Sequence, residues 1–339
     1  MKIAIHHRPG SFSDRWIEYC KKENIDYKIV NAYSSDIVEQ VGDCDAFMWH
    51  HHHSDYRDAL FARQLIFSLE TKGVACFPNS STTWHFDDKV GQKYLLEAIG
   101  APLVPSYVFY TKKEAMEWID HTTFPKVFKL RGGAGASNVK LAHSAKEARN
   151  FVKRAFGRGF HQYDKIGRIK DCYGKWKEGK TPFINIIKGI GRAVLPSEFS
   201  RMHGREKGYV YFQDFIENNY FDIRIVVVAD NVDKAFAIKR IVRKGDFRAS
   251  GSGNLVYDKK DIPESCVKVS FDTLKKLKAQ CLAFDYVFGV EGEPFIVEIS
   301  YGFSMKAYDD CQGFWTEDMT WHEERFNPQE WMVKNLVEN

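Results

Sequence analysis

The chain has 339 residues, 44% of them hydrophobic, with 49 basic and 45 acidic side chains and a formal charge of +4. That length exceeds one ordinary core and predicts two or three packed subdomains, and so slight a charge surplus gives no general case for a nucleic-acid or membrane partner. Seven cysteines, spread out and without a CxxC pair, read as reduced thiols; no apolar run approaches a membrane span, and MKIAIHHRPGSF meets Pro9 and Gly10 too soon for a secretory h-region, so a soluble cytoplasmic chain is expected.

Over the first eighty residues, predicted strands 2–7, 27–32, 44–51 and 74–80 alternate with helices 13–24, 34–41 and 56–72, which implies a small open parallel sheet. Right-handed crossovers put the strand ends at one edge. His6 and His7 end the first strand there, and His50, His51, His52 and His53 end the third. Imidazole N–H groups suit an anionic substrate, with a metal site as the alternative, although neighbouring residues on a strand point to opposite faces and only some of the rings face any one pocket. His6, His7, His51 and His52, together with Arg243 further along the chain, are the expected substrate contacts.

From Asp87 a helix runs to a C-cap at Gly100, extended chain follows Pro102 and Pro105, and a helix over 112–120 precedes a strand over 124–130. Residues 157–210 are rich in Gly and Lys with weak periodicity and read as an insertion. The basic residues between Lys153 and Arg192 face either an anionic substrate or solvent. The last third offers strands 209–216, 222–229, 234–242 and 294–300 with antiparallel-type alternation and a helix over 271–284.

Four stretches carry chemistry. Lys129 ends its strand just before RGGAGASNV (131–139), and glycines at 132, 133 and 135 let backbone N–H groups approach phosphate while the loop folds over a nucleotide. Neither a Walker loop nor a GxGxxG fingerprint is present. Asp285 and Glu298, on strand-like DYVFGV and IVEIS either side of an EGEP turn, come side by side in a hairpin and offer oxygen ligands to magnesium. In KRIVRKGDFRASGSGN, Arg240, Arg243 and Arg248 supply guanidinium groups that match phosphoryl oxygens, with Arg248 the preferred catalytic arginine.

The order of these pieces, over roughly Thr82 to Ser304, resembles the ATP-grasp ligases, most closely the RimK-like branch that adds amino acids to a carboxylate. The resemblance implies an α/β (α+β) protein: a pre-ATP-grasp parallel domain at 1–83, a central subdomain at 84–212 with the lid and insertion, and a C-terminal subdomain at 213–339. FDDK implies that Lys89 contacts ATP phosphates; FPKVFKL makes Lys129 the second phosphate lysine and a catalytic residue. VYFQDFI resembles the adenine hinge, with Gln213, Asp214, Phe215 and Ile216 at the corresponding positions. DIR at Asp222 and Arg224 and KGDFR ending at Arg248 match most specifically, and Arg240 joins Arg248 as catalytic. VEIS resembles the terminal Glu-x-Asn metal motif, with Ser300 in place of Asn, which weakens the case for two metals.

The implied activity is ATP- and Mg2+-dependent (or Mn2+-dependent) amide formation between a carboxylate and an amine through an acyl phosphate, in a homo-oligomer. The competing readings are a small-molecule kinase and an ATP-binding protein with weakened catalysis. A sugar acid, such as a hexuronic acid in a surface polysaccharide, or an amino-acid or peptide carboxylate is the expected acid. The insertion and the aromatic tail from Ser304 to Trp331 are where substrate choice is expected to lie.

Overall fold

A computed structural model describes residues 1–133, 138–161, 204–243, 246–249, 251 and 253–338, with Trp176 and Met202 as isolated positions. Most of the 157–210 insertion, Gly135 and Lys244 therefore lie outside the described residues.

The N-terminal part alternates β1 (Lys2–His6), α1 (Phe12–Lys22), β2 (Asp26–Val30), α2 (Ile37–Gln40), β3 (Ala46–Trp49), α3 (Tyr56–Thr71), β4 (Ala75–Phe77) and α4 (Ser80–Thr83). The four strands form a parallel sheet in the order β2-β1-β3-β4, so the ends of β1 and β3 share an edge, as the histidine argument requires. Strands β1 and β3 are buried along almost their whole length, with Ile3 to Ile5 and Ala46 to Trp49 covered on both faces, the usual pattern of a parallel sheet.

Then α5 (Lys89–Ala98) leads into β5 (Ser106–Phe109), α6 (Lys112–His121), β6 (Lys126–Lys129), β7 (Lys140–Ala142), α7 (Ala145–Ala155), β8 (Phe160–His161), β9 (Arg205–Glu206) and β10 (Val210–Asp214). Here β5-β10-β6-β7 make an antiparallel sheet backed by α6 and α7. Pairing of β10 with β6 sets Tyr211 opposite Lys129 and Asp214 opposite Lys126, which brings the lysine strand beside the expected hinge.

The largest sheet collects β11 (Phe221–Val228), β12 (Lys234–Ile241), β13 (Leu255–Val256), β14 (Cys281–Phe288), β15 (Pro294–Ser300), β16 (Phe314–Thr316) and β17 (Trp321–His322), in the order β15-β14-β11-β12-β16-β17. It is backed by α8 (Glu264–Leu277), which buries Cys266, Val267, Phe271 and Leu274. The helix expected over 271–284 stops at Leu277, because Lys278 turns into the left-handed region at φ 50° and Cys281–Phe284 pair along β11 as strand. An apolar run of that length fits either period, and the β11 ladder decides it.

The aromatic tail is largely core. Phe236 of β12 packs its ring 5.1 Å from Tyr308 and 5.0 Å from Phe326, and Trp315 lies 4.5 Å from Trp321. The closing helix α9 (Pro328–Glu338) buries Met332, Val333 and Leu336 and packs against α1. One apolar cluster therefore joins β1, α1, β12 and α9, tying the parallel domain to the large sheet. No described helix is long and apolar enough to cross a membrane.

Candidate functional site

The three sheets surround a cavity of about 1520 Å3. Its floor is a row of charges fixed by strand register. Asp222 of β11 faces Arg240 of β12, Arg224 of β11 faces Asp285 of β14, and Asp285 faces Glu298 of β15. Side chains alternate along a strand, so these positions fall on one face. Arg240 grips Asp222 through two bonds of 2.6 Å and reaches Asp285 at 3.0 Å, while Arg224 holds Asp285 at 2.9 Å. Burial opposes charge on Asp285, yet the Arg224 and Arg240 guanidiniums keep its carboxyl below the usual carboxylate range. The β14–β15 register shifts just after Asp285, leaving Val297 unpaired beside the site. Ser300 binds the carbonyl of Gly302 at 2.9 Å.

Two lysines enter from the other side, each only 4% exposed. Lys89, on the first turn of α5 behind the N-cap Asp88, meets Glu298 at 3.1 Å and donates to the Gly133 carbonyl at 2.8 Å. Burial works against its charge, but Glu298 and Asp87 hold its pKa above the ordinary lysine value. Lys129 donates to the Gln213 side-chain carbonyl at 2.5 Å, and burial pushes it down to about 8 despite the pull of Glu298. Neighbouring lysines thus shift in opposite directions: one has a carboxylate in contact, and the other has an amide.

The FDDK stretch also anchors the root of the glycine loop. The Gly133 amide donates to Asp87 at 2.7 Å, Arg131 pairs with Asp88 at 2.6 Å, and the Lys89 amide bonds the Arg131 carbonyl at 2.9 Å. Gly133 lines the large cavity and Gly132 a smaller one beside it; Gly135 is outside the described residues. At the hinge, Gln213, Asp214, Phe215 and Ile216 all line the large cavity, with Asp214 held by Lys126 at 2.6 Å. Arg248 lines it too, bonded to Asp246 at 2.8 Å.

The histidines divide. His52 lines the large cavity, with Nδ1 at 2.6 Å from the Ser54 hydroxyl. His6 turns inward and accepts from the Ala32 amide at 3.0 Å, His51 is buried against Thr83, and His7 bonds Ser13 at 3.1 Å. None of those three lines the large cavity, nor does Arg243, which donates to the Gly251 carbonyl. Burial pushes His6 and His53 down to about 4, and His51 and His52 to about 3, so these rings are neutral at pH 7.

Sequence reasoning gave no individual role to several residues that line the cavity: Arg8, which pairs with Asp58 at 3.6 Å, Asp87, His53, and Phe303 to Asp309 at the head of the aromatic tail. Asp87 and His53 lay inside stretches already marked by their chemistry, and nothing in the sequence singled out Arg8; Ser304 to Asp309 belong to the tail in which substrate choice was expected.

Comparison with known proteins bears on this arrangement. Residues 198–313 match the RimK-like ATP-grasp domain. The chain has the ATP-grasp fold. A RimK-domain ATP-grasp protein from Sphaerobacter thermophilus superposes over 100% of both chains at 14% identity, with a TM-score of 0.57. The biotin carboxylase domain of Hydrogenobacter thermophilus 2-oxoglutarate carboxylase, solved with MgADP and bicarbonate, superposes at 12% identity over 100% of this chain and 70% of that one, with a TM-score of 0.61. Bacillus anthracis D-alanine–D-alanine ligase with ATP follows at 13%, over 91% of each chain, with a TM-score of 0.54. No curated protein matches the sequence.

Proposed function

We propose that the protein is a magnesium-dependent, ATP-consuming carbon–nitrogen ligase that activates a carboxylate as an acyl phosphate and passes it to an amine. The observation that carries this reading is the convergence of Lys89, Lys129 and the cross-strand pair Asp285 and Glu298 on one cavity beside a glycine-rich loop. Its volume of about 1520 Å3 exceeds the roughly 300–1,000 Å3 usual for one small ligand, which leaves room for a nucleotide and a second substrate. Two of the similar proteins were solved with MgADP and with ATP.

The donors suit magnesium. Asp285, Glu298 and the Ser300 hydroxyl are hard oxygens, and no group of three or more His, Cys, Asp or Glu stands together among the described residues. Magnesium tolerates so few protein ligands because it keeps waters and takes phosphate oxygens; manganese accepts the same set. Bound there, the nucleotide supplies the phosphoryl group and the metal the charge that offsets it.

This chain's residues do the rest. Lys89 and Lys129 turn from Glu298 and Gln213 to phosphate oxygens, and the backbone of residues 213–216 presents the edge that reads the base. Asp222 and Arg224 brace Arg240 and Asp285, while Arg240 and Arg248 face the charge that spreads over the phosphoryl group during carboxylate attack. The glycine loop excludes water from the acyl phosphate. The acid is a sugar acid or an amino-acid or peptide carboxylate.

The test is to incubate protein, ATP and magnesium with pools of uronic acids, amino acids and short peptides, with hydroxylamine as the amine. A hydroxamate formed with matching ADP supports the ligase reading. ADP accompanied by a stable phosphate ester and no hydroxamate favours a kinase, and ATP binding without turnover favours a weakened binding protein.

A further inference from the structure

Beside the root of the glycine loop lies a second cavity of about 190 Å3, walled by α3, the His51–His53 run, Asp87–Asp88 and Arg131–Gly132. It shares His52, His53, Phe86 and Asp87 with the large cavity, so the two meet at those side chains.

Most charges in this chamber are matched. Asp58 accepts from Tyr33 and from the His52 amide, both at 2.6 Å, and Asp88 is paired with Arg131. Asp87 and Arg63 are the exceptions. Asp87 sits at φ 53°, accepts the Gly133 amide, and has no cation within 4.0 Å among the described residues. Burial pushes its carboxyl up to about 6. Arg63 reaches in from α3, donates to the Phe86 carbonyl, and has no carboxylate within 4.0 Å among the described residues. A largely buried carboxylate and guanidinium, each without a counter-ion and not paired with one another, are unfavourable as they stand. A ligand carrying both opposite charges would match both.

We propose that this chamber binds a small zwitterion, its ammonium against Asp87 and its anionic group against Arg63, as the amine co-substrate. The chemistry assigned to that ligand rests on the ligase reading above. Liquid water occupies about 30 Å3 per molecule, so the chamber holds on the order of six waters. That suits a ligand the size of glycine or phosphoethanolamine and excludes a nucleotide or a peptide. Where the chamber meets the large cavity, which Lys89 and Glu298 line, the amine nitrogen attacks the acyl carbon. The C–N bond forms as the C–O bond to phosphate breaks; one ammonium proton goes to solvent and a second to the departing phosphate, which leaves with the bonding pair.

The test is calorimetric titration of glycine, β-alanine, taurine and O-phosphoethanolamine into the full chain, with and without Mg·ADP, with methylamine and acetate as half-ligands. Arg63→Gln and Asp87→Asn each remove one charge. Ala59→Leu narrows the chamber and removes neither, and melting curves confirm that each variant is folded. At least one zwitterion is expected to bind the wild type, with each half-ligand and each variant weaker by about tenfold or more, the equivalent of about 1.4 kcal/mol. No binding of any of the four at millimolar concentration, or binding unchanged in all three variants, overturns the proposal. Mg·ADP titrated into the same wild-type sample separates the two readings: if it binds while no zwitterion does, the chamber fails and the ligase reading stands, and if neither binds both fail.

Discussion

Lys129 offers the sharpest handle on the site. Its ammonium is buried with an amide as its hydrogen-bond partner, and burial lowers its pKa from 10.5 to about 8. A phosphate ligand binds the charged form, so affinity should follow the protonated fraction. That fraction is about nine-tenths at pH 7 and about one-tenth at pH 9, a tenfold loss or about 1.4 kcal/mol per pH unit once above the midpoint. Mg·ADP affinity, measured by calorimetry from pH 6.5 to 9.5, is therefore predicted to hold flat and then weaken by about tenfold by pH 9. Lys129→Arg, which keeps its charge throughout, should remove the slope. Wild-type affinity that stays level to pH 9.5, or a slope that persists in Lys129→Arg, refutes the reasoning. The sign for stability is the reverse of the usual lysine case. Between pH 8 and 10.5 the unfolded chain holds this proton more tightly, so this group adds stability as pH rises through that window.

Other expectations follow from the same contacts. Glu298→Gln removes a negative oxygen ligand, and the gain in ADP affinity on adding magnesium should fall to near nothing; an undiminished gain would take Glu298 out of the metal site. Asp222→Asn leaves Arg240 short of its bidentate partner in a buried setting, and a loss of about 3–5 kcal/mol is expected by urea denaturation, with under about 1 kcal/mol contradicting the role given to the pair. Met332→Ala in α9 opens a hole in the cluster that joins the parallel domain to the large sheet, for about 2–5 kcal/mol; a smaller loss would mean that α9 contributes little to the joint.

What the sequence disclosed followed from how local each feature is. Lys129 at the end of a short apolar strand, the glycines behind it, and Asp285 and Glu298 on two runs joined by a tight turn are set by neighbours in the chain, and the β14–β15 register places the two carboxylates opposite one another. Asp222 and Arg240 are different. Each was legible as a charged residue on a strand, but the pair stands at the open end of the β11–β12 hairpin, far from its turn, and its bidentate bonding follows from the whole ladder between. The stretch Lys278 to Phe284 fits both helix and strand periods, and the β11 ladder chose strand. Ring direction was equally out of reach: His6 and His7 adjoin one another on a strand end, yet His6 turns into the core. The aromatic tail divides: Ser304 to Asp309 line the cavity, whereas the later rings stack as core, and composition cannot tell a stacked pair such as Phe326 on Trp331 from a binding face.

The central claim is that this cavity activates a carboxylate. Its most direct test uses the acid found by hydroxylamine trapping, labelled with oxygen-18 in its carboxyl group, with ATP, magnesium and an amine, reading the inorganic phosphate by mass. Attack of the carboxylate on the phosphoryl group predicts one heavy oxygen in the released phosphate for each amide formed. Amide formed with unlabelled inorganic phosphate, the heavy oxygen leaving in AMP or in water instead, would contradict the acyl phosphate and with it the ligase account.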